Sequence, residues 1–153
     1  DKKSEQIAMI MFDLDNFKSI NDRYGHSTGD WVLKRVIEVI KPICRKQDCI
    51  GRVGGEEFAV LLRASDLESA ALMADRFREC IAGINTAETG HLFTATASFG
   101  VTTTLLSGYV FDTLMCQADE ALYQSKREGR NRVRSYNNLK SDADIVAEAA
   151  IGL

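Results

Sequence analysis

The stretch Cys49-Ile-Gly-Arg-Val-Gly-Gly-Glu-Glu-Phe-Ala-Val-Leu-Leu62 decides the fold of this chain. Its two strand-like runs, residues 49–53 and 58–62, flank Gly54-Gly55, and glycine accepts the positive φ that a tight turn requires. We therefore predict a β-hairpin whose two-residue loop is Gly54-Gly55. Glu56 and Glu57 follow at once, so two carboxylates should stand on rigid backbone at the rim of a sheet. That placement suits metal and phosphate chemistry.

The composition is that of one ordinary globular domain. The chain has 153 residues, of which 45% are hydrophobic and 27% charged, and its net charge of -3 argues against a general nucleic-acid binder. It contains no apolar run of transmembrane length and no signal peptide. Its four cysteines form neither a CxxC pair nor a cluster with histidine, which is typical of a reducing compartment. We expect a cytoplasmic protein, or the cytoplasmic part of a membrane-attached sensor.

Hydrophobic periodicity predicts an α+β domain in which helices pack on a sheet. The expected element order is β-α-α-β-β-α-β-α-β. Ser65 or Asp66 should cap the third helix, because their side chains can accept from its first backbone amides. The predicted elements besides the hairpin are a strand at 7–12, helices at 16–22, 27–44 and 66–83, a strand at 91–103, a helix at 112–126 and a closing strand at 132–134.

Two acidic residues end the first predicted strand. Asp13 and Asp15 lie two apart, so in an extended chain their side chains share one face, and the Leu14 carbonyl between them is a neutral oxygen ligand. Mg²⁺ usually takes one or two carboxylates plus substrate phosphates, and Glu56 from the hairpin would complete a compact acidic site. Solvated acids at a strand end are the alternative. The hairpin glutamates favour the metal site.

Three segments of the chain resemble motifs of the GGDEF family of diguanylate cyclases. The hairpin resembles that family's GG(D/E)EF turn. Phe12-Asp-Leu-Asp-Asn-Phe-Lys-Ser-Ile-Asn-Asp-Arg-Tyr-Gly-His-Ser-Thr-Gly-Asp30 is similar to its (I/F)DxDxFKxINDxxGHxxGD segment, and Ala118-Asp-Glu-Ala-Leu-Tyr-Gln-Ser-Lys-Arg-Glu-Gly-Arg-Asn131 to its ADxALYxAKxxGRN segment. The motifs occur in the family's order and cover roughly residues 7–134. The implied fold is the nucleotidyl-cyclase and polymerase palm, a mainly antiparallel central sheet flanked by helices, with a ferredoxin-like core.

The resemblance implies a metal site that holds Mg²⁺ or Mn²⁺. Its ligands would be the Asp13 side chain, the Leu14 carbonyl, Glu56 and Glu57. Glu56 would also accept the proton of the attacking 3′-hydroxyl, whose pKa a metal ion lowers. Lys18 would stabilise charge on the triphosphate. Considered alone, Lys18 is better explained as an exposed helical lysine.

The resemblance also implies a guanine nucleotide as substrate. Asn21 and Asp30 match the guanine-binding positions, and a carboxylate can accept from both N1–H and N2–H₂ of guanine, a pair that adenine lacks. His26 would line the nucleotide pocket. Lys126 and Arg130, four residues apart and therefore expected on one helix face, would hold the β- and γ-phosphates. Ordinary solvated basic residues are the alternative for both.

Arg45-Lys-Gln-Asp48 lies five residues before Gly54 of the hairpin. In the family this is the position of an RxxD site, where Arg and Asp bind the product, cyclic di-GMP, and inhibit the enzyme. The resemblance implies this role for Arg45 and Asp48. Taken alone, the pair is better explained as an ion pair at a helix end.

We accordingly predict a diguanylate cyclase domain over residues 1–135, followed by a helical extension at 136–153. The chain lacks the DxLTGLxNR segment that usually precedes the first strand in the family. The predicted reaction condenses two GTP into cyclic di-GMP and two pyrophosphates, depends on a metal, requires a homodimer and is inhibited by its product. A sensory or receiver domain upstream would regulate it, and neither nucleic acid nor a membrane segment is expected.

Two other functions are compatible with the fold. One is a non-catalytic regulatory domain that binds cyclic di-GMP or GTP, although intact Glu56 and Glu57 favour the enzyme. The other is a purely structural dimerisation domain, which would leave the acidic site and Asp30 unexplained.

Overall fold

A computed structural model describes residues 5–137 of the chain. Its five strands form one sheet in the order β2-β3-β1-β4-β5, in which only β4 and β5 run parallel. The strands are β1 (Ile7–Leu14), β2 (Cys49–Gly54), β3 (Glu57–Arg63), β4 (Ala97–Thr103) and β5 (Val133–Ser135). The helices are α1 (Phe17–Tyr24), α2 (His26–Ile40), α3 (Leu67–Ala82), α4 (Thr104–Ser107) and α5 (Phe111–Arg127). The predicted α+β class, with its mainly antiparallel sheet, is confirmed.

The sheet is covered on both faces, and the two cores differ in size. The larger core joins alternate residues of β1, among them Ala8, Ile10 and Phe12, to the apolar sides of α2 and α3. The smaller core lies under α5 and consists of Met9, Met11, Leu114, Ala118 and Leu122. Because side chains alternate along a strand, β1 supplies both cores from consecutive positions. This explains why residues 7–12 show a continuous apolar run rather than an alternating one.

Three phenylalanines fix the register of the central strands. The Phe12 ring stacks between Phe58 and Phe99, with ring centroids 4.9 Å apart on each side. The same residues are cross-strand partners, Phe12 with Phe58 in β3 and with Phe99 in β4. A slip of one residue would turn these rings to the opposite face, so their packing strongly disfavours any other register. The next residue of β1, Asp13, is thereby held opposite Glu57.

The hairpin loop differs from the prediction by one position. Gly54 is the last residue of β2 and pairs with Glu57, so the two loop residues are Gly55 and Glu56 rather than Gly54 and Gly55. Only Gly55 has a positive φ, of 47°. An irregularity in β2 between Arg52 and Gly54 absorbs the extra residue. Glu56 therefore lies in the turn itself, and Glu57 begins β3.

The predicted strand at 91–103 is wrong for its first half, because β4 begins at Ala97. Residues 91–95 lie outside the strand and beside α1, where the Tyr24 ring stacks on Phe93 at a centroid distance of 4.5 Å. The Thr86 hydroxyl also donates to the carbonyls of His91 and Phe93, at 2.9 and 3.2 Å. These contacts replace the ladder hydrogen bonds that a longer strand would form.

The third helix begins where its cap was predicted. Asp66 precedes α3, and its carboxylate accepts from the Ser69 amide at 2.7 Å. The helical extension predicted at 136–153 lies outside the described residues from position 138 onward. Among residues 5–137, no helix has the length and apolar character needed to cross a bilayer.

Candidate active site

The end of β1 brings Asp13 beneath helix α5. The Lys126 ammonium group of α5 donates to Asp13 Oδ2. The other oxygen, Asp13 Oδ1, is buried and has no hydrogen-bond partner. A buried carboxylate oxygen without a partner is costly, because it has lost water and gained nothing in exchange. This oxygen is therefore free to bind a cation.

Glu57 adds a second carboxylate beside Asp13. The two residues are partners in the antiparallel β1–β3 pair, and Glu57 is half-buried. The pKa of Glu57 is raised, first by burial, then by the negative charges of Asp119 and Asp13, while Lys126 opposes the shift. The site is consequently short of positive charge. A divalent cation would relieve this repulsion, so the donor set fits a hard metal ion.

The turn that carries Glu56 is fastened to both neighbouring strands. Arg52 Nε donates to the Gly55 carbonyl at 2.6 Å, and the Leu14 amide donates to the Glu56 carbonyl at 3.3 Å. Within residues 5–137, however, no three His, Cys, Asp or Glu side chains are grouped closely enough to hold a metal ion. Asp13 and Glu57 are thus brought together, whereas Glu56 is not added to them as a third ligand. Mg²⁺ seldom relies on an all-protein cage, since substrate phosphates supply part of its shell.

Asp15 does not share the site of Asp13, contrary to the expectation from their spacing. Strand β1 ends at Leu14, and Asp15 is only 7% exposed. Its carboxylate accepts from the Thr96 hydroxyl at 2.7 Å, the Ser98 hydroxyl at 2.6 Å and the Asn131 amide at 3.0 Å. These donors occupy Asp15 fully, so it belongs to the framework rather than to the acidic pair.

The predicted guanine-binding residues lie where α1 and α2 meet. Asn21 is half-buried, and its Oδ1 lies so close to Gly29 that a Cβ there would approach it to 1.8 Å. Asp30, the next residue, is exposed and lines a cavity of about 460 Å³ together with Leu33, Lys34, Ile37, Arg52 and Phe58. The cavity has an apolar wall and a carboxylate at its edge, which suits a planar base with donor groups. Gly29 permits this arrangement by having no side chain.

Lys18 and His26 are less constrained. Lys18 is exposed on α1, and His26 is the exposed first residue of α2. The part of the chain that the structure describes gives neither side chain a hydrogen bond that would orient it. Their predicted roles stay predictions.

Lys126 and Arg130 are not on one helix face, because α5 ends at Arg127. Arg130 lies in the turn beyond Gly129, where its amide donates to the Ser125 carbonyl at 2.9 Å, a bond typical of a helix C-terminus. The two basic residues are instead brought to the same end of the sheet by contacts with β1. Lys126 contacts Asp13, and Asn131, next to Arg130, contacts Asp15.

Arg45 and Asp48 form a closed pair at the start of β2. Arg45 Nη2 lies 2.8 Å from Asp48 Oδ1, and the Arg45 amide donates to Asp48 Oδ2 at 2.7 Å. Arg45 Nη2 also donates to the Arg63 carbonyl at 2.6 Å and lies 3.0 Å from the Ser65 hydroxyl. The Asp48 side chain is fully buried, whereas that of Arg45 is 36% exposed. The ion pair expected from the alternative interpretation is therefore present, while the Arg45 side chain remains partly exposed.

A family model described as "Diguanylate cyclase, GGDEF domain" matches residues 1–132 of the chain. The chain belongs to the GGDEF family. The match includes Asp13, Glu56 and Lys126 and almost all of the sheet, so it covers the whole candidate site.

Proteins similar to this GGDEF domain include Diguanylate cyclase A of Treponema denticola, which is 41% identical over 144 residues. That alignment covers 90% of the present chain but 38% of the Treponema protein, so the chain spans well under half of that relative. Among solved structures, the active GGEEF domain of a Vibrio cholerae diguanylate cyclase superposes with a TM-score of 0.81 at 30% identity, covering 90% of this chain and 87% of that one. The GGDEF domain of Caulobacter crescentus DgcB, solved with cyclic di-GMP, gives 0.81 at 32% identity and coverages of 88% and 80%.

Three residues of this GGDEF domain were missed by sequence reasoning. Arg52 lines the cavity and holds the hairpin turn, Asp119 raises the pKa of Glu57, and Gly29 makes room for Asn21. Asp119 could have been found, since it lies within the motif at residues 118–131 and one turn beyond Met115, which packs against the smaller core. Arg52 could not, because its role depends on the displaced hairpin loop.

Proposed function

We propose that the chain is the catalytic domain of a diguanylate cyclase that condenses two GTP into cyclic di-GMP and two pyrophosphates. The observation that carries the proposal is the buried, unpartnered Asp13 Oδ1 beside Glu57, at the rim where the GGEEF turn is fastened to β1. A divalent cation held there by Asp13, Glu57 and the Leu14 carbonyl would lower the pKa of the 3′-hydroxyl and polarise the α-phosphate.

The other site residues would bind the base, neutralise the triphosphate and accept the proton. Asp30 and Asn21 hold guanine at the α1–α2 junction, and His26 lines the same pocket. Lys18, Lys126 and Arg130 neutralise the triphosphate, and Lys126 is already drawn to the acidic site by Asp13. Glu56 accepts the 3′-hydroxyl proton as the new O–P bond forms and the bond between the α- and β-phosphates breaks. Pyrophosphate leaves.

One domain cannot complete the reaction. Each domain would bind one GTP, and both 3′-hydroxyls must reach the α-phosphate of the other nucleotide. Two domains must therefore face one another about a two-fold axis, with one GTP in each. We propose a homodimer for catalysis, regulated in the cytoplasm by a sensory or receiver domain of the longer protein.

The decisive assay is incubation with GTP and Mg²⁺ or Mn²⁺, followed by quantification of cyclic di-GMP and pyrophosphate. We expect both products in a 1:2 ratio, and a rate per domain that rises with protein concentration as dimers form. Glu56→Gln should abolish turnover without altering the unfolding curve. Glu68→Gln, at an exposed glutamate of α3 on the opposite face of the sheet, is the matched control and should keep full activity. Binding of GTP without any product would favour a regulatory domain instead.

Product inhibition at Arg45 and Asp48 forms a second part of the proposal. The support is the open face of the Arg45 guanidinium beside a buried carboxylate, which leaves donors for a phosphate or a guanine edge. The cyclic di-GMP concentration needed for half-maximal inhibition should be at least tenfold higher for Arg45→Ala than for wild type. The substitution should also lower stability, because Asp48 would keep only the Arg45 backbone amide as a donor. Arg35→Ala, which breaks an exposed i,i+3 pair with Glu38, is the control, and equal inhibition of both variants would contradict the site.

A further inference from the structure

The proposed reaction gives no role to the buried carboxylate of Asp15. Its three partners, the Thr96 and Ser98 hydroxyls and the Asn131 amide, are all uncharged donors. Two of them belong to the segment that leads into and begins β4. The third lies 116 residues away in sequence, in the turn between α5 and β5. Asp15 thus connects the end of β1 to that turn.

The turn itself has an unusual backbone. Gly129, Arg130 and Asn131 have φ values of 129°, 62° and 47°, so three consecutive residues have positive φ. Residues other than glycine seldom adopt this conformation, because the Cβ approaches the backbone, and two in succession require support from outside the turn. The Arg130 amide donates to the Ser125 carbonyl, and Arg78 Nη1 lies 3.3 Å from Asn131 Oδ1. The bond from the Asn131 amide to Asp15 is partly buried, whereas the contact of Arg78 with Asn131 is exposed.

We infer that Asp15 is a positioning residue for Arg130: by accepting from the Asn131 amide, it fixes the positive-φ turn that directs the Arg130 side chain toward the terminal phosphates of the nucleotide. The inference rests on the proposed function, because the phosphate-binding role of Arg130 is part of it. Arg130 is exposed, and no packing against a core holds its guanidinium. Its direction is therefore set by its own backbone, which the Ser125 carbonyl holds on the side of α5 and Asp15, through the Asn131 amide, holds on the side of β5.

The alternative is that Asp15 only fastens β1 to β4 through Thr96 and Ser98. The two roles differ in what they do to ligand binding. A fastening residue stabilises every part of the domain, so its loss would weaken all ligands alike. A positioning residue for Arg130 affects ligands that carry β- and γ-phosphates and leaves the guanine contacts at Asn21 and Asp30 unchanged.

The test uses the whole chain and two nucleotides that cannot be condensed. One is GTP with a methylene group between the α- and β-phosphates, and the other is GMP, which lacks the terminal phosphates. For Asp15→Ala we expect the methylene analogue to bind about tenfold more weakly, a loss of about 1.4 kcal/mol, while GMP affinity stays within twofold of wild type. Arg130→Ala should do the same. The double variant should be no weaker than Arg130→Ala alone, because both changes remove one interaction.

Several results would overturn the inference. Equal weakening of both nucleotides by Asp15→Ala would do so, as would a further tenfold loss in the double variant. Thr102→Val serves as the control: it removes the hydrogen bond of the buried Thr102 hydroxyl to Ser107 at the far end of β4 and should lower stability without changing the ratio of the two affinities.

If Asp15→Ala does not fold, Asp15→Asn replaces it, since the amide is nearly the same shape but a weaker acceptor. We then expect an approximately threefold loss for the methylene analogue, and an affinity equal to wild type would overturn the inference. Failure of the wild-type domain to make cyclic di-GMP would refute the proposed function alone, because both affinities are measured without turnover.

Discussion

Gly29→Ala should weaken the proposed binding of guanine by Asn21 while leaving helices α1 and α2 folded. The substituted Cβ would lie 1.8 Å from Asn21 Oδ1, 2.9 Å from Asn21 Cγ and 3.1 Å from Phe17 Cζ. Gly29 is buried inside α2 and its φ is not positive, so the backbone itself accepts alanine. The Asn21 amide is the flexible end of a side chain and is expected to rotate away, while the Phe17 ring shifts by a few tenths of an ångström.

Two opposing effects set the change in stability. Replacing glycine by alanine within a helix stabilises it by about 1 kcal/mol. Overpacking at a buried contact costs about 1–3 kcal/mol. The free energy of unfolding should therefore fall by no more than about 2 kcal/mol. The displaced amide loses about one hydrogen bond to guanine, worth about 0.5–1.5 kcal/mol, so kcat/KM for GTP should fall roughly two- to twelvefold.

The assay pairs urea unfolding with initial rates on GTP. Gly83→Ala is the matched control, because a Cβ at that position meets nothing closer than the Glu79 carbonyl at 3.4 Å. It should change neither quantity by more than a small amount. If Gly29→Ala keeps the wild-type kcat/KM, then Asn21 does not bind guanine from the position described. A fully inactive but folded variant would also refute the reasoning, because one lost hydrogen bond cannot cause it.

Three further predictions concern other parts of the domain. Gly100→Ala would place a Cβ 2.2 Å from the Leu122 backbone nitrogen, which cannot rotate away as a side chain could. We therefore expect the free energy of unfolding to fall by about 3 kcal/mol or more. A loss below about 1 kcal/mol in urea unfolding would contradict the close packing of α5 on β4. In the absence of nucleotide, Lys126→Met should bind Mn²⁺ about tenfold more tightly than wild type, because the ammonium group no longer competes for Asp13. An unchanged affinity in calorimetry would contradict that competition. The Ser69 amide lowers the pKa of Asp66 from 3.8, so Asp66 stabilises α3 while it is ionised; this contribution is present above pH 3.8 and is lost as pH falls through the lowered pKa. The difference in urea midpoint between wild type and Asp66→Ala should therefore shrink below pH 3.8. A difference that stays constant would contradict the charged cap.

Local sequence patterns predicted those features that depend on neighbouring residues. The cap at Asp66 and the ion pair between Arg45 and Asp48 span only three residues each, and both are present. The end of α5 was predicted to within one residue, but the spacing of four between Lys126 and Arg130 was wrongly taken to place both on one helix face, whereas Arg130 lies in the turn beyond Gly129. Helix-period arguments hold only while the helix lasts.

Features that depend on distant partners were not predictable. Asp13 and Asp15 are two positions apart and of the same residue type, yet one faces α5 and the other faces β4. The difference arises from Lys126, 113 residues away, and from donors between 81 and 116 residues away. The loop of the hairpin was off by one position for a related reason. Two adjacent glycines allow two turn placements, and the pairing of Glu57 with Asp13 selects one.

The unequal cores give the two halves of the proposed nucleotide site different local stabilities. The helices proposed to bind guanine belong to the larger core, whereas the end of α5 proposed to bind phosphate rests on the small cluster of Met9, Met11, Leu114, Ala118 and Leu122. Amide hydrogens of α5 should therefore exchange with solvent sooner than those of α2, since fewer apolar contacts oppose its opening. If the proposed reaction is correct, a helix that opens more readily beside the terminal phosphates gives pyrophosphate a route out while the base is still held.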